Sequence, residues 1–169
     1  MAGNLEFITS ASGTSVSSLD VTDCFSADYD VYQVLVSKID QATAQYLWVR
    51  LIDSVGVDST SNYDDATLLM KPSTTFSEQR NANQNAWTRF LYNSTGTTGG
   101  NLNLYVYNPY DSSSYTFAGV QGIGQGLYWG SKGIGVHTVA EQITGIHFLA
   151  GAGNLDNIEV SVYGVNNGR

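Results

Sequence analysis

Charge is scarce in this chain of 169 residues. Only 13% of it is Asp, Glu, Lys or Arg, and seven basic residues face fifteen acidic ones, for a net charge of -8. A nucleic-acid surface needs a basic stripe to displace counterions, so nucleic acid is excluded as a partner. Coiled coils and long helices are rich in Glu, Lys and Arg, and this composition does not supply them. The one cysteine, Cys24, excludes an internal disulfide and any multi-cysteine metal site, and it reads as a small buried hydrophobe. No apolar run approaches the ~20 residues of a membrane helix. Met1-Ala2-Gly3-Asn4-Leu5-Glu6 has neither the basic nor the apolar part of a secretory signal. The expectation is folding in a reducing cytoplasm, away from membranes, with a fragment of a longer exported protein as the alternative.

What the chain does have is 12% aromatic residues, 18 glycines, and Ser, Thr, Asn or Gln at about a third of its positions. Aromatic and β-branched residues at low charge exclude disorder. The length fits one domain, expected to span 1–169. The dominant period is two. Tyr46-Leu47-Trp48-Val49-Arg50-Leu51-Ile52 places Leu47, Val49 and Leu51 on one face, and Leu102, Leu104 and Val106 alternate likewise with Asn103, Tyr105 and Tyr107. Ile158-Glu159-Val160-Ser161-Val162-Tyr163 repeats the pattern. The dense run Tyr29–Ile39 predicts a strand buried on most of both faces. Weaker strands are expected at Leu5–Thr9, Ser15–Val21, Trp87–Tyr92, Tyr115–Val120 and Ile143–Leu149. The segment Asn62–Met70 is expected to form one or two helical turns. Eight or nine short strands with long crossings predict an all-β fold, a jelly-roll-like antiparallel β-sandwich.

Known chemistries find little purchase. Gly119 to Gly135 holds seven glycines, but Leu127 stands where a dinucleotide fingerprint needs its third glycine and no helix pattern follows. The stretch reads as a bulged or flexible β-hairpin whose glycines permit close backbone approach to another strand or another subunit. His137 and His147 lack a nucleophile elbow, and with Cys24 they show no ligand spacing, so no metal is expected. Asp58 to Asp65 alternates oxygen side chains as a calcium loop does, yet Tyr63 and Leu69 replace its glycine and its bidentate Glu. It reads as a polar loop. No paired carboxylates declare a glycosidase. The expectation is a protein without catalytic residues, enzymatic activity or cofactor.

Aromatic side chains are the candidate contact residues. Tyr105, Tyr107, Tyr110, Tyr115, Tyr128 and Trp129 crowd about a seventh of the chain among Gly, Asn and Ser, and Trp87 joins them as a candidate. Rigid amphipathic rings suit either stacking on sugars or packing against protein. The competing use for each is to cover the sandwich core.

Two segments carry a resemblance. Phe25-Ser26-Ala27-Asp28-Tyr29-Asp30-Val31-Tyr32 is similar to the "F-x-x-x-Y-D-x-Y" strand of small tailed-bacteriophage virion proteins. Ile143-Thr144-Gly145-Ile146-His147-Phe148, then Gly153-Asn154 and Ile158 to Val165, resembles their closing "I-x-G-I-x-F…G-N…I-x-V-Y-G" hairpin. The resemblance implies a jelly-roll module of a head-decoration, tail-fibre or baseplate protein, assembled as a homotrimer. Its partners would be copies of itself and capsid or tail proteins; its location would be the virion. The chain shows no attachment segment or elongated shaft, which leans the expectation towards capsid decoration. A receptor- or glycan-binding module on the tail is the alternative.

Overall fold

The computed structural model describes residues 5–72, 75–93, 99–124 and 129–166, with only the backbone of Trp129. Among them are twelve strands and no helix: β1 (Leu5–Val16), β2 (Ser18–Val21), β3 (Val31–Gln41), β4 (Gln45–Ile52), β5 (Tyr63–Met70), β6 (Ser77–Gln84), β7 (Trp87–Asn93), β8 (Gly100–Tyr107), β9 (Tyr115–Gly124), β10 (Trp129–Ala140), β11 (Gly145–Ala150) and β12 (Leu155–Val165). An eight-stranded sheet in the order β1-β12-β3-β8-β9-β10-β5-β6 faces a four-stranded sheet in the order β2-β11-β4-β7.

Eight of these strands are a jelly roll. The chain folds as a long double ribbon whose arms pair antiparallel as β1 with β12, β2 with β11, β3 with β8, and β4 with β7. Rolled up, the ribbon gives β1-β12-β3-β8 over β2-β11-β4-β7. The other four strands are two inserted hairpins. β5–β6 interrupts the link from β4 to β7, and β9–β10 interrupts the link from β8 to β11. They pair with each other through β10 and β5 and so double the width of one sheet. Eight of the expected strands fall on the roll and one, Tyr115–Val120, on β9 of an insertion; β5, β6 and β10 are the surplus.

The alternating sequences bury the side chains that their period assigns. Leu47, Val49 and Leu51 face Val34, Leu102, Leu104, Val106, Ile158, Val160 and Val162 across the sandwich, all essentially inaccessible. Each large apolar side chain so buried contributes about 1.5–3 kcal/mol. β3 is buried throughout its inner face and in part on its outer one, where Gln33 is buried and Leu35 is exposed. Parity would turn Lys38 inward after Val36. A register shift with positive φ at Lys38 turns it out to pair with Glu159 at 2.7 Å, and Ile39 enters the core instead.

Two expectations are corrected, and one strand is new. Asn62–Met70 is not helical, since Tyr63–Met70 is strand β5 with Tyr63, Asp65, Thr67 and Leu69 inward. Ser15–Val21 is not one strand: β1 ends at Val16 after positive φ at Ser15, and β2 starts at Ser18 in the other sheet. Strand β6, almost wholly polar, had no pattern to announce it. The expected turn at Thr95–Gly100 falls largely on residues outside those described.

The resembling segments meet in space. Thr144 O accepts from Cys24 N and Phe25 N, at 2.9 and 3.1 Å. Tyr29 lies on Gly164, where a Cβ would stand 2.5 Å from the ring. Tyr32 is fully buried, stacks edge-on against Phe25 and donates to Ser26 O at 2.8 Å. Burial pushes the Cys24 thiol up to about 12, in keeping with an inert core residue.

Glycines on β9 and β10 make room for β7. A Cβ at Gly135 would stand 2.7 Å from Phe90 Cζ and 2.8 Å from Trp87 Nε1; one at Gly124 would stand 2.0 Å from Tyr92 O. Of the two expected uses of these glycines, this is close approach to another strand. Gly135→Ala is expected to cost about 1–3 kcal/mol through overpacking, read as a lower midpoint in urea unfolding at an unchanged slope.

Candidate functional site

Inserting two hairpins creates a broad outer sheet face that none of the described residues covers. The register places Tyr107 beside Phe117, Phe117 beside Val136, and Tyr105 beside Gly119, which pairs in turn with Ile134 opposite Ala66. Odd positions of β8 and β9 and even positions of β5 and β10 point outward here, as the burial alternation shows. Tyr107, Phe117 and Ile134 are 39%, 44% and 66% exposed. Together with Ala66, Gly119 and Val136 they line an open apolar hollow of about 480 Å³. Gly119 is its floor: the Tyr107 ring lies 3.6 Å from where a Cβ would be. Asp64 borders the hollow, and Arg80 follows Ala66 in the ladder, so charge sits on its rim.

The candidate aromatic residues separate into distinct environments. Tyr105 and Tyr107 share this outer face with Tyr115, which is exposed at the start of β9. Tyr110 lies elsewhere, in a smaller polar hollow of about 210 Å³ with Tyr29, Asp30, Asn108 and Asp111. There the Ser113 hydroxyl and amide hold the Asp111 carboxyl below the usual carboxylate range. Trp87 is a correction: it is wholly buried, stacked on Phe90, with Nε1 donating to Val136 O at 3.1 Å. A large indole beginning an apolar run is core, and no contact surface remains on it. Trp129 opens β10 opposite Gly124, and Tyr128 lies outside the described residues.

Phe117, Ile134 and Ala66 went unnoticed in the sequence. Alternation in Tyr115-Thr116-Phe117-Ala118-Gly119 carries a trace of them, but periodicity alone does not tell which face is covered.

A second set of residues converges at the end of β10. His137 is wholly buried, and its Nε2 lies 2.6 Å from Asp58 Oδ2 and 3.6 Å from Glu141 Oε1. Asp58, in the link between β4 and β5, accepts on Oδ1 from the Thr60 amide and hydroxyl at 2.8 and 2.6 Å. Burial opposes its ionisation, but Thr60 and His137 together hold its carboxyl below the ordinary range. Burial, with repulsion from Asp53 and Asp58, raises that of Glu141 against the pull of His137. Tyr63 packs its ring on His137, donates to Asp58 O and accepts from Leu51 N, both at 3.0 Å. His147, the other imidazole, pairs with Asp20 on the small sheet, as a hydrogen-bonded strand histidine should. Seventy-nine positions separate Asp58 from His137, so no local spacing could reveal the cluster.

No protein-family model and no curated protein matches the chain. Among the described residues, no helix is long and apolar enough to cross a membrane.

Tyr63→Phe leaves the Leu51 amide and Asp58 carbonyl unpaired in the core. It is expected to lower stability by about 1–3 kcal/mol, measured by chemical denaturation.

Proposed function

We propose that the protein is a non-enzymatic structural module, an exterior jelly roll of a tailed-phage virion that decorates the capsid as a homotrimer. The apolar hollow of Tyr107, Phe117 and Ile134 carries this reading. Contiguous apolar surface held on rigid strands is uncommon on monomers and characteristic of docking faces, and an apolar centre with charges at its rim is how such faces are built. The resemblance of Phe25–Tyr32 and Ile143–Val165 to phage virion proteins supplies the biological setting.

A closed ring of three needs two different surfaces on each copy. The hollow is one. Leu5 and Phe7, exposed on β1 at the far side of the same sheet, are the other. Light scattering on purified protein is expected to give three times the chain mass, and Ile134→Asp or Phe7→Asp to give folded monomers. A monomeric wild-type protein would overturn the assembly.

The polar hollow favours a second reading, a glycan-binding module. Two tyrosine rings, two carboxylates and an amide at Tyr29, Tyr110, Asp30, Asp111 and Asn108 are the groups that stack on a sugar ring and accept or donate to its hydroxyls. Binding on a glycan array that Tyr110→Ala abolishes would establish it; an array without binders removes it.

A further inference from the structure

We infer that Asp58, His137 and Glu141 form a binding site for one divalent transition-metal cation, with Zn²⁺ the best chemical match. Their three donor atoms come from separate segments and lie within 4.8 Å of one another. Asp58 belongs to the link between β4 and β5, His137 to β10, and Glu141 to the link between β10 and β11.

Charge is the first argument. Asp58 and Glu141 bring two carboxylates to the one imidazole of His137, at 2.6 and 3.6 Å from its Nε2. Among the described residues, no Lys or Arg is ion-paired with Asp58 or Glu141. A divalent cation carries enough charge to balance both carboxylates, whereas His137 can balance at most one.

Donor chemistry and spacing select the metal. One imidazole nitrogen and two carboxylates suit Zn²⁺ and its first-row neighbours, whereas Ca²⁺ takes six to eight oxygens and Mg²⁺ an octahedron of them. Bonds near 2.0–2.2 Å set tetrahedral ligand atoms roughly 3.3–3.5 Å apart. The Nε2 to Oε1 separation of 3.6 Å fits as it stands. Asp58 Oδ2, at 2.6 Å from Nε2, must withdraw by somewhat less than an ångström. Thr60 anchors the other Asp58 oxygen and orients the carboxylate. Glu141 is the most accessible of the three ligands, its side chain 29% exposed.

One feature bounds the affinity. His137 Nδ1 is buried with no hydrogen-bond partner, whereas a metal-bound imidazole ordinarily donates from its second nitrogen. Lack of that partner costs roughly 10–100-fold, so the site is expected to bind in the micromolar range. The cation would clamp the link between β4 and β5 to the end of β10. The site is independent of the assembly proposed above.

The test uses the full chain, dialysed against EDTA at pH 7.5. Calorimetry is expected to show one equivalent of Zn²⁺ bound, and saturating Zn²⁺ to raise the melting temperature by roughly 5–10 °C. Co²⁺ should give the visible absorption of a tetrahedral site, and Mg²⁺ should do nothing. Glu141→Gln, at the exposed mouth, should melt like the metal-free wild type and lose at least tenfold in Zn²⁺ affinity. His147→Gln should bind as the wild type does. Absence of Zn²⁺ binding, unchanged affinity in Glu141→Gln, or its loss in His147→Gln would each overturn the assignment.

Discussion

The free edge of β7 is the constraint around which the rest of this fold is organised. In the four-stranded sheet β7 pairs only with β4, and its other side turns into the protein. Backbone amides and carbonyls buried there need partners, because an unsatisfied buried group costs about as much as a hydrogen bond is worth. The inserted hairpins supply them with side chains. Asp65 accepts from Thr88 N at 2.7 Å, Thr67 donates to Arg89 O at 3.3 Å, and Ser131 donates to Phe90 O. Trp87 closes the arrangement from the other direction through its bond to Val136 O. An edge that would invite aggregation is thus covered from within.

Two consequences follow from that covering. The strands beneath β7 must come close, so β9 and β10 carry Gly124 and Gly135 where a side chain would collide with Tyr92, Phe90 or Trp87, and Gly122 where one would crowd Leu91 and Phe90. The layer that shields β7 then has an opposite face of its own, and none of the described residues packs over it. That face is where Tyr107, Phe117 and Ile134 lie exposed. Its presence is a by-product of shielding an edge; its apolar character is what points to a partner.

Much of the roll was legible in the sequence. The faces of β4, β8 and β12 follow from strict alternation, which works wherever one side of a strand is apolar core. Strand β5 escaped because its inward positions include Asp65 and Thr67, polar residues assigned to β7 rather than to the core. Strand β6 escaped because SEQRNANQ is polar on both sides at a sheet edge. Trp87 was misassigned because an aromatic side chain serves core and interface equally well on composition alone. In the cluster of Asp58, His137 and Glu141 only the four-residue spacing of His137 and Glu141 is local, and Asp58 arrives from 79 positions away.

The scarcity of charge and the period of two determined by themselves that this is an all-β protein, because alternation along a strand is local and each residue contributes to it independently. Only the tertiary structure decided which rings are core and which are surface, and which acids meet a histidine. Those outcomes depend on how strands distant in sequence are brought into register, and no window of neighbouring residues contains that information.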